Sequence, residues 1–131
     1  MNTTDRIERN KHTVARLLEA FRRRDVDAFD SLVAENYAQH NPQAGNGREA
    51  LKEFIAAVGP LEVEVHRMVA EGDLVAVHSH LRTWDMAAMD IFRFDDDGTI
   101  IEHWDVLQPV AATTVSGNDM FSQLSRGGGQ R

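Results

Sequence analysis

Residues 86–109, MAAMDIFRFDDDGTIIEHWDVLQP, carry the pattern that decides the fold of this chain. On either side of the polar run DDDG at 95–98, ionisable residues stand among apolar ones, and we interpret the two flanks as antiparallel strands. Gly98 can adopt the left-handed conformation that a four-residue hairpin loop needs near its end. The stretch is therefore expected to form a long β-hairpin.

The register of this hairpin decides which ionisable groups share a face of the sheet. With a four-residue loop, Asp90 stands directly opposite His103, so an acid and an imidazole lie side by side. A single bulge near Gly98 would instead bring Glu102 and Trp104 to the face of Asp90. Both registers are open, and the first makes Asp90 and His103 the leading pair for proton transfer.

Three helices are predicted before the strands. Apolar residues at helical spacing mark residues 5–24, and a second, shorter helix follows from about residue 25. A third helix is expected from residue 46 or 47 to about residue 58, because Gly59-Pro60 then ends it. Residues 36–42 are expected to form a brief strand that ends in a loop.

From Leu61 onward the period of the apolar residues changes to two. Leu61, Val63, Val65 and Val69 alternate with polar residues, which predicts a half-buried strand. A turn at residues 71–73 leads into a second strand over residues 74–84. Helices followed by antiparallel strands indicate an α+β fold, in which the helices cover one face of the sheet.

Composition narrows the class of protein. The length of 131 residues suits one domain, expected over residues 1–125, with residues 126–131 as a disordered tail. The net charge of −7 disfavours nucleic acid and anionic membranes as partners. The absence of cysteine excludes disulfides and thiolate sites, and no apolar run is long enough to span a membrane, so a cytoplasmic location is expected. No nucleotide-binding or serine-hydrolase motif occurs, and no cofactor is expected.

The segments YAQHNP at 37–42 and GTIIEHWDVLQP at 98–109 resemble the SnoaL-like branch of the NTF2-like superfamily. The chain is most similar to the bacterial proteins called predicted SnoaL-like aldol-condensation enzymes. The resemblance implies an NTF2-like cone, with three N-terminal helices packed on a curved antiparallel sheet that has a mixed edge and encloses a deep apolar pocket. It also implies a homodimer that forms through the outer face of the sheet.

Two better-known relatives bear on the chemistry. Ketosteroid isomerase is similar in layout, but the position of its catalytic base is Asn41 here and that of its oxyanion-hole tyrosine is Leu17. Only its protonated aspartic acid has a counterpart, Asp90, which argues against steroid isomerisation. The polyketide cyclases of the branch use an aspartate supported by a histidine, for which Asp90 and His103 are available. Many relatives have an aspartate where this chain has Gln108.

The candidate site follows from the hairpin and this resemblance. We expect proton transfer by Asp90 and His103, and His40 as a second acid or base at the rim of the pocket. His40 and Asn41 are also expected to polarise or anchor a carbonyl oxygen of the substrate. The expected substrate-binding residues are Tyr37, Asn41, His78, Phe92, Trp104 and Gln108. No metal is expected, although His78, His80 and His103 could in principle share an ion.

These residues favour a cofactor-independent general acid/base enzyme that acts on a small carbonyl compound. Aldol-type condensation, cyclisation, isomerisation and dehydration, as lyase or isomerase chemistry, all fit. The alternative is a non-catalytic, dimeric binding module for an apolar small molecule. Epoxide hydrolysis would need an Asp–Arg–Asp set such as Asp90, Arg93 and Asp105, but Arg93 falls on the wrong face of its strand. The expected partner is an apolar or carbonyl ligand.

Overall fold

The N-terminal helix forms the first part of a helical layer, the roof of the fold. In the computed structural model, which describes residues 1–125, this helix, α1, spans Thr3–Arg23, and Asn2 is its N-cap residue. The Asn2 side chain accepts the Asp5 backbone N–H at 2.8 Å, which satisfies one of the free donors of the first turn. Val14 and Leu17 are fully buried on the inner stripe of α1, as its periodicity predicts.

Two further α-helices complete the roof. A 3-10 turn over Val26–Ala28 leads into α2, Phe29–Leu32, and α3 spans Arg48–Val58. Helix α2 is only one turn long, because the chain enters the first strand already at Val33. Residues 33–35, which the sequence did not assign to a strand, therefore belong to the sheet.

Five strands form one sheet with the order β1-β5-β4-β3-β2. Strand β1 pairs parallel with β5, and the other neighbours pair antiparallel, so the edge is mixed. The predicted α+β class with helices on one face of a curved sheet is confirmed. The strands are β1, Val33–Gln39; β2, Val63–Glu71; β3, Leu74–Leu81; β4, Met86–Phe94; and β5, Ile100–Pro109.

A bulge in β2 alters the alternation predicted from the valines. The register between β2 and β3 shifts between Val65 and Arg67. As a result Val69 lies opposite Ala76 on the outer face, with 63% of its surface exposed. Val65 is also exposed, so the prediction of a buried row through these two valines is wrong.

The β4–β5 hairpin combines two register shifts of one residue each. Phe94 pairs with Ile100, one residue further than the predicted four-residue loop allows, and a bulge then lets Arg93 pair with Glu102. Asp90 consequently faces Asp105, so the predicted direct pairing of Asp90 with His103 is wrong. The two shifts together move β5 by two residues relative to β4. Because side chains alternate with a period of two, each one stays on the face that was predicted for it.

The strand alternation therefore leaves His103 on the same face as Asp90, as a diagonal neighbour. Glu102 and Trp104 lie on the opposite face, which rules out the alternative register with both of them beside Asp90. Among residues 1–125, no helix is long and apolar enough to cross a membrane. The tail predicted over residues 126–131 lies outside the described part of the chain.

Candidate functional site

A cavity of about 110 Å³ lies between the helices and the inner face of the sheet. Its wall under the helices is apolar and its floor on the sheet carries polar groups. The apolar wall includes Leu17, Phe21, Phe54 and Ile55 from the helices, and Leu81 of β3 and Trp84 of the following turn extend it. This combination of an apolar wall with few polar groups is typical of small-molecule sites.

The polar floor follows from strand alternation. On β4, Asp90 and Phe92 point inward, and on β5 the inward residues include His103 and Asp105. The Phe92 ring packs on the His103 imidazole with their centroids 4.8 Å apart, so the imidazole is held against an apolar surface. Strand β1 contributes Tyr37, Gln39 and, just after its end, Asn41.

Asp90 and His103 form the central contact. Nε2 of His103 lies 2.7 Å from Oδ1 of Asp90, so the two share a hydrogen bond. His103 is buried, and Asp90 keeps part of its side chain open to the cavity. The expected acid–imidazole pair is thus brought together, although by a diagonal rather than a direct strand pairing.

Gln39 determines which nitrogen of His103 carries its first proton. The Gln39 side-chain oxygen accepts the backbone N–H of Asn41 at 3.0 Å, which identifies that atom as the amide oxygen. The same oxygen lies 2.8 Å from Nδ1 of His103. Since an amide oxygen only accepts, Nδ1 must donate, and a neutral His103 has no proton left for Nε2.

The contact between Nε2 and Asp90 therefore contains one shared proton. It sits either on Asp90, facing a neutral imidazole, or on His103, facing a carboxylate. Both forms preserve the 2.7 Å hydrogen bond. The pair can thus pass a proton without losing its geometry, which is what a general acid/base catalyst requires.

The Gln39 amide nitrogen orients the second donor of the site. It donates to the hydroxyl oxygen of Tyr37, so the phenolic hydrogen of Tyr37 is free to donate elsewhere. Burial raises the pKa of Tyr37, and the charges of Asp105 and Asp90 raise it further. Tyr37 is therefore a neutral hydrogen-bond donor on the cavity wall over the physiological pH range.

Asp105 is a second, half-buried carboxyl group on the floor. Its two oxygens lie 2.9 and 3.0 Å from the Asn41 amide nitrogen, and Asn41 in turn accepts the Gln43 backbone N–H. Burial raises the pKa of Asp105, while the hydrogen bond from Asn41 opposes that shift. The amide of Asn41 thus holds Asp105, whereas the sequence assigned it directly to a substrate oxygen.

Asp90, His103 and Asp105 are the cluster that could hold a cation. Each offers a ligand atom, and these atoms lie within 4.8 Å of one another. Two carboxylates and an imidazole are acceptable ligands for several divalent metals. The alternative trio is excluded: His78 and His80 lie on the outer face and His103 on the inner face, so the three cannot share one ion.

His40 and Trp104 do not line the cavity. The His40 ring stacks on the Trp104 ring with centroids 5.0 Å apart, and its Nε2 lies 2.7 Å from Glu102. Glu102 also accepts from Arg93 on the outer face of the sheet. The hydrogen bonds from His40 and Arg93 lower the pKa of Glu102. Placing His40 and Trp104 in the pocket was wrong, because alternation along β5 turns Trp104 outward.

His78 and Gln108 are also outside the cavity. His78 contacts Arg67 and the ring of Phe121, a residue of the C-terminal segment that packs on the outer face. Its pKa is lowered by burial and by the charge of Arg67. Gln108 has the same parity on β5 as Trp104 and faces away from the helices. The expectation that these two residues line the pocket is therefore wrong.

Three floor residues were missed from the predicted site: Gln39, Ser79 and Asp105. A signal was present for two of them. Gln39 follows Tyr37 by two residues, and Asp105 follows His103 by two, so strand alternation alone places each beside a predicted site residue. Ser79 gave no such signal, because it lies between two histidines that turn outward.

The comparisons with known proteins agree with this geometry. The family model for the SnoaL-like domain matches residues 14–103, which include most of the sheet and both members of the Asp90–His103 pair. No curated protein matches the sequence significantly.

Solved structures share the fold at low sequence identity. An NTF2-like protein of unknown function from Burkholderia xenovorans superposes with a TM-score of 0.72 at 18% identity, covering 90% of this chain and 97% of the other. A proposed ketosteroid isomerase from Kribbella flavida has a TM-score of 0.70 at 21% identity, with 80% and 82% covered. IdmH of Streptomyces antibioticus, a proposed polyketide cyclase, has a TM-score of 0.62 at 26% identity, with 75% and 91% covered.

Proposed function

The chain belongs to the SnoaL-like domain family of NTF2-like proteins, and from that premise we propose that its cavity catalyses a cofactor-independent proton transfer on a small carbonyl compound. The single observation that carries the proposal is the 2.7 Å contact between Nε2 of His103 and Oδ1 of Asp90, which can hold one shared proton. Gln39 fixes the other imidazole nitrogen as a donor and so directs acid/base exchange to this contact.

The proposed step is enolisation. With the proton on His103, the Asp90 carboxylate takes a proton from the carbon next to the substrate carbonyl. The electrons of that C–H bond become the new carbon–carbon double bond, and the carbonyl π electrons move to the oxygen. Asp90 is then protonated and returns the proton to carbon or to a leaving hydroxide, so the enzyme is regenerated.

Tyr37 is the proposed donor to the developing enolate oxygen. Its hydroxyl already accepts from Gln39, so its own hydrogen is the one that the substrate oxygen receives. The raised pKa of Tyr37 keeps that hydrogen in place. Tyr37 thereby takes the role that the sequence assigned to His40 and Asn41.

Aldol-type condensation, cyclisation, isomerisation and dehydration all pass through such an enol or enolate. The names of two structural relatives, an isomerase and a cyclase, fall within this chemistry. The apolar wall favours a substrate whose body is hydrocarbon. We therefore assign the reaction class to enol-forming lyases or isomerases.

Hydrogen–deuterium exchange tests this proposal without knowledge of the natural substrate. The protein is incubated with acetophenone or 1-tetralone in heavy water, and loss of the protons next to the carbonyl is followed by NMR. Wild type is expected to accelerate exchange. Asp90→Asn and His103→Gln should each reduce the catalysed rate by about 10²- to 10⁴-fold.

The outer face supplies a matched control pair. Nε2 of His80 lies 2.7 Å from Oδ1 of Asp85, the same contact as in the cavity but on the other side of the sheet. Asp85→Asn should leave exchange unchanged, and Asn suits the positive φ of 52° at this position. Full exchange activity in Asp90→Asn with an unchanged melting temperature would overturn the proposal.

A second candidate function is sequestration of an apolar molecule, which the hydrocarbon wall of the cavity favours. Denaturing the purified protein and identifying any released small molecule by mass spectrometry tests this alternative. A tightly held ligand together with no exchange activity in the stripped protein would support it.

We also propose that the outer sheet face forms a homodimer interface. Met89 pairs with Val106 on this face, and they are 40% and 71% exposed. Leu74 and Val69 extend the apolar surface toward the β2–β3 side. Apolar area of this kind on a sheet commonly marks a protein–protein contact.

A further inference from the structure

Ser79 carries a buried hydroxyl that the protein does not use. The residue is 1% exposed, and within the described chain its Oγ has no hydrogen-bond partner. Its inward-facing neighbours on β3, Val77 and Leu81, are hydrocarbon, and Ala88 stands opposite it on β4. None of these side chains can donate or accept a hydrogen bond.

Leaving a buried hydroxyl unpaired costs folding free energy, so such groups are rare unless something outside the chain satisfies them. Ser79 lines the same cavity as Asp90 and His103. The facing residue, Ala88, has only a methyl side chain, so it adds little bulk beside the hydroxyl and offers it no polar partner. A molecule in the cavity is therefore the natural partner of Oγ.

The strand register places Ser79 at a defined distance from the proton-transfer pair. Ser79 pairs with Ala88 and Val77 pairs with Asp90, so Ser79 and Asp90 are diagonal neighbours on the inner face. Such neighbours lie roughly 7–8 Å apart. This is a separation of backbone positions, and a six-membered ring with one substituent at each end spans a comparable length, so a single ring can bridge the two side chains.

We infer that Ser79 is a second anchoring point and that the cavity accepts single-ring ketones that carry a further oxygen across the ring. The inference rests on the proposed function for the position of the ketone, beside Tyr37 and Asp90, and adds the hydroxyl of Ser79 for the second oxygen. The cavity volume, about 110 Å³, is smaller than the roughly 150 Å³ that holds benzene in an engineered protein cavity, which limits the inference to a single ring.

Two probes that differ by one oxygen test the inference. Acetophenone has the ring and the ketone, and 4-hydroxyacetophenone adds a hydroxyl at the opposite end. Dissociation constants come from NMR titrations of the backbone amides. Wild type should bind the hydroxylated probe about threefold to tenfold more tightly, the range expected for one neutral hydrogen bond.

Ser79→Ala should abolish this preference, so that both probes bind with equal affinity. Because the variant removes an unpaired hydroxyl, its melting temperature should equal or exceed that of wild type. Ser79→Thr keeps the hydroxyl and should keep the preference, even if its added methyl weakens both probes. A preference that survives unchanged in Ser79→Ala would overturn the inference and would leave an ordered water as the partner of Oγ.

The binding preference and the exchange assay test the two proposals separately. Loss of the preference in Ser79→Ala, with no exchange activity in wild type, would support the anchoring point and reject the enolisation proposal. Exchange activity that depends on Asp90, together with a binding preference that is the same in wild type and Ser79→Ala, would support the enolisation proposal and reject the anchoring point.

Discussion

Oε1 of Gln39 lies 2.8 Å from Nδ1 of His103, and this contact holds the imidazole in a single tautomer. Gln39→Leu keeps the side-chain volume but leaves Nδ1 and the Asn41 backbone N–H without their acceptor. We expect kcat for exchange to fall about tenfold or more with a smaller change in KM, as for a positioning residue.

The tautomer itself can be measured in the same variant. Nitrogen-15 NMR of His103 should show a proton fixed on Nδ1 in wild type and a mixture of protonation states in Gln39→Leu. Gln43→Leu, an exposed glutamine in the following loop, serves as the control. If the wild-type spectrum shows Nδ1 without its proton, the assignment of the shared proton to Nε2 is contradicted.

Tyr37 is the chain's single tyrosine, so its ionisation can be followed directly by the absorbance of tyrosinate. Since its pKa is raised in the folded protein, the folded chain should remain un-ionised at about pH 10, where an unfolded tyrosine is half ionised. The unfolded state then loses the proton first. The free energy of unfolding should therefore fall as the pH rises above about 10.

Removing the phenol isolates its part in catalysis. Tyr37→Phe should lower the exchange rate by about 10- to 100-fold, as for loss of one donor to an enolate. It should also remove the contribution of Tyr37 to the alkaline decrease in stability. Tyrosinate absorbance in the folded protein at the pH expected for a free tyrosine would show that the hydroxyl is not buried as described.

Alternation along the strands explains why much of the fold and part of the site could be predicted. A shift of β5 against β4 by an even number of residues leaves Asp90, Phe92 and His103 on one face of the sheet. The predicted register was wrong by two residues, so the common face of these side chains was still predicted correctly. His40 could not be placed in this way, because it follows the last strand residue and its ring direction depends on Trp104.

Other features depend on contacts between distant segments. The bulge after Val65 turns the second half of β2, and its sequence contains no glycine to announce it. The partner of Gln39 is 64 residues away, so only the parallel pairing of β1 with β5 brings the two together. Local periodicity contains no information on such pairings.

Asp105 should make stability depend on pH in the acidic range. Its folded pKa is raised, chiefly by burial, so the protonated form is favoured in the folded state. The contribution is present below the unfolded value of about 3.9 and is lost as the pH rises through the folded pKa. Asp105→Asn should flatten this part of the curve of unfolding free energy against pH.

Urea titrations between about pH 3 and 7 measure this effect. Asp96→Asn, in the exposed hairpin turn, is the matched control and should leave the curve of wild type unchanged. A curve for Asp105→Asn that follows wild type throughout would contradict the burial of the Asp105 carboxyl group.

His40→Ala separates the outer imidazole from the inner one. The His40 side chain is 45% exposed and its partner Glu102 lies on the outer face. We expect the exchange rate to stay within about twofold of wild type and the free energy of unfolding to fall by no more than about 1 kcal/mol, as for an exposed ion pair. A loss as large as that of His103→Gln would place His40 in the catalytic site.

Val106→Glu tests the proposed dimer. A charge in the middle of the exposed apolar surface around Met89 should convert a dimer to a monomer, as judged by light scattering after gel filtration. Val115→Glu alters an exposed valine outside the sheet and should leave the oligomeric state unchanged. A wild-type protein that is monomeric at all concentrations would reject the interface.

The two compensating shifts in the β4–β5 hairpin restrict how this loop can change in length. If the turn before Thr99 lost one residue but the loop kept its present length, and the bulge beside Arg93 were retained, the pairing would move by one position. Glu102 and Trp104 would then enter the cavity, and His103 would leave it. Insertions and deletions in this turn are thus compatible with the acid–imidazole pair when the loop itself absorbs them, when they come in twos, or when a bulge is gained or lost at the same time.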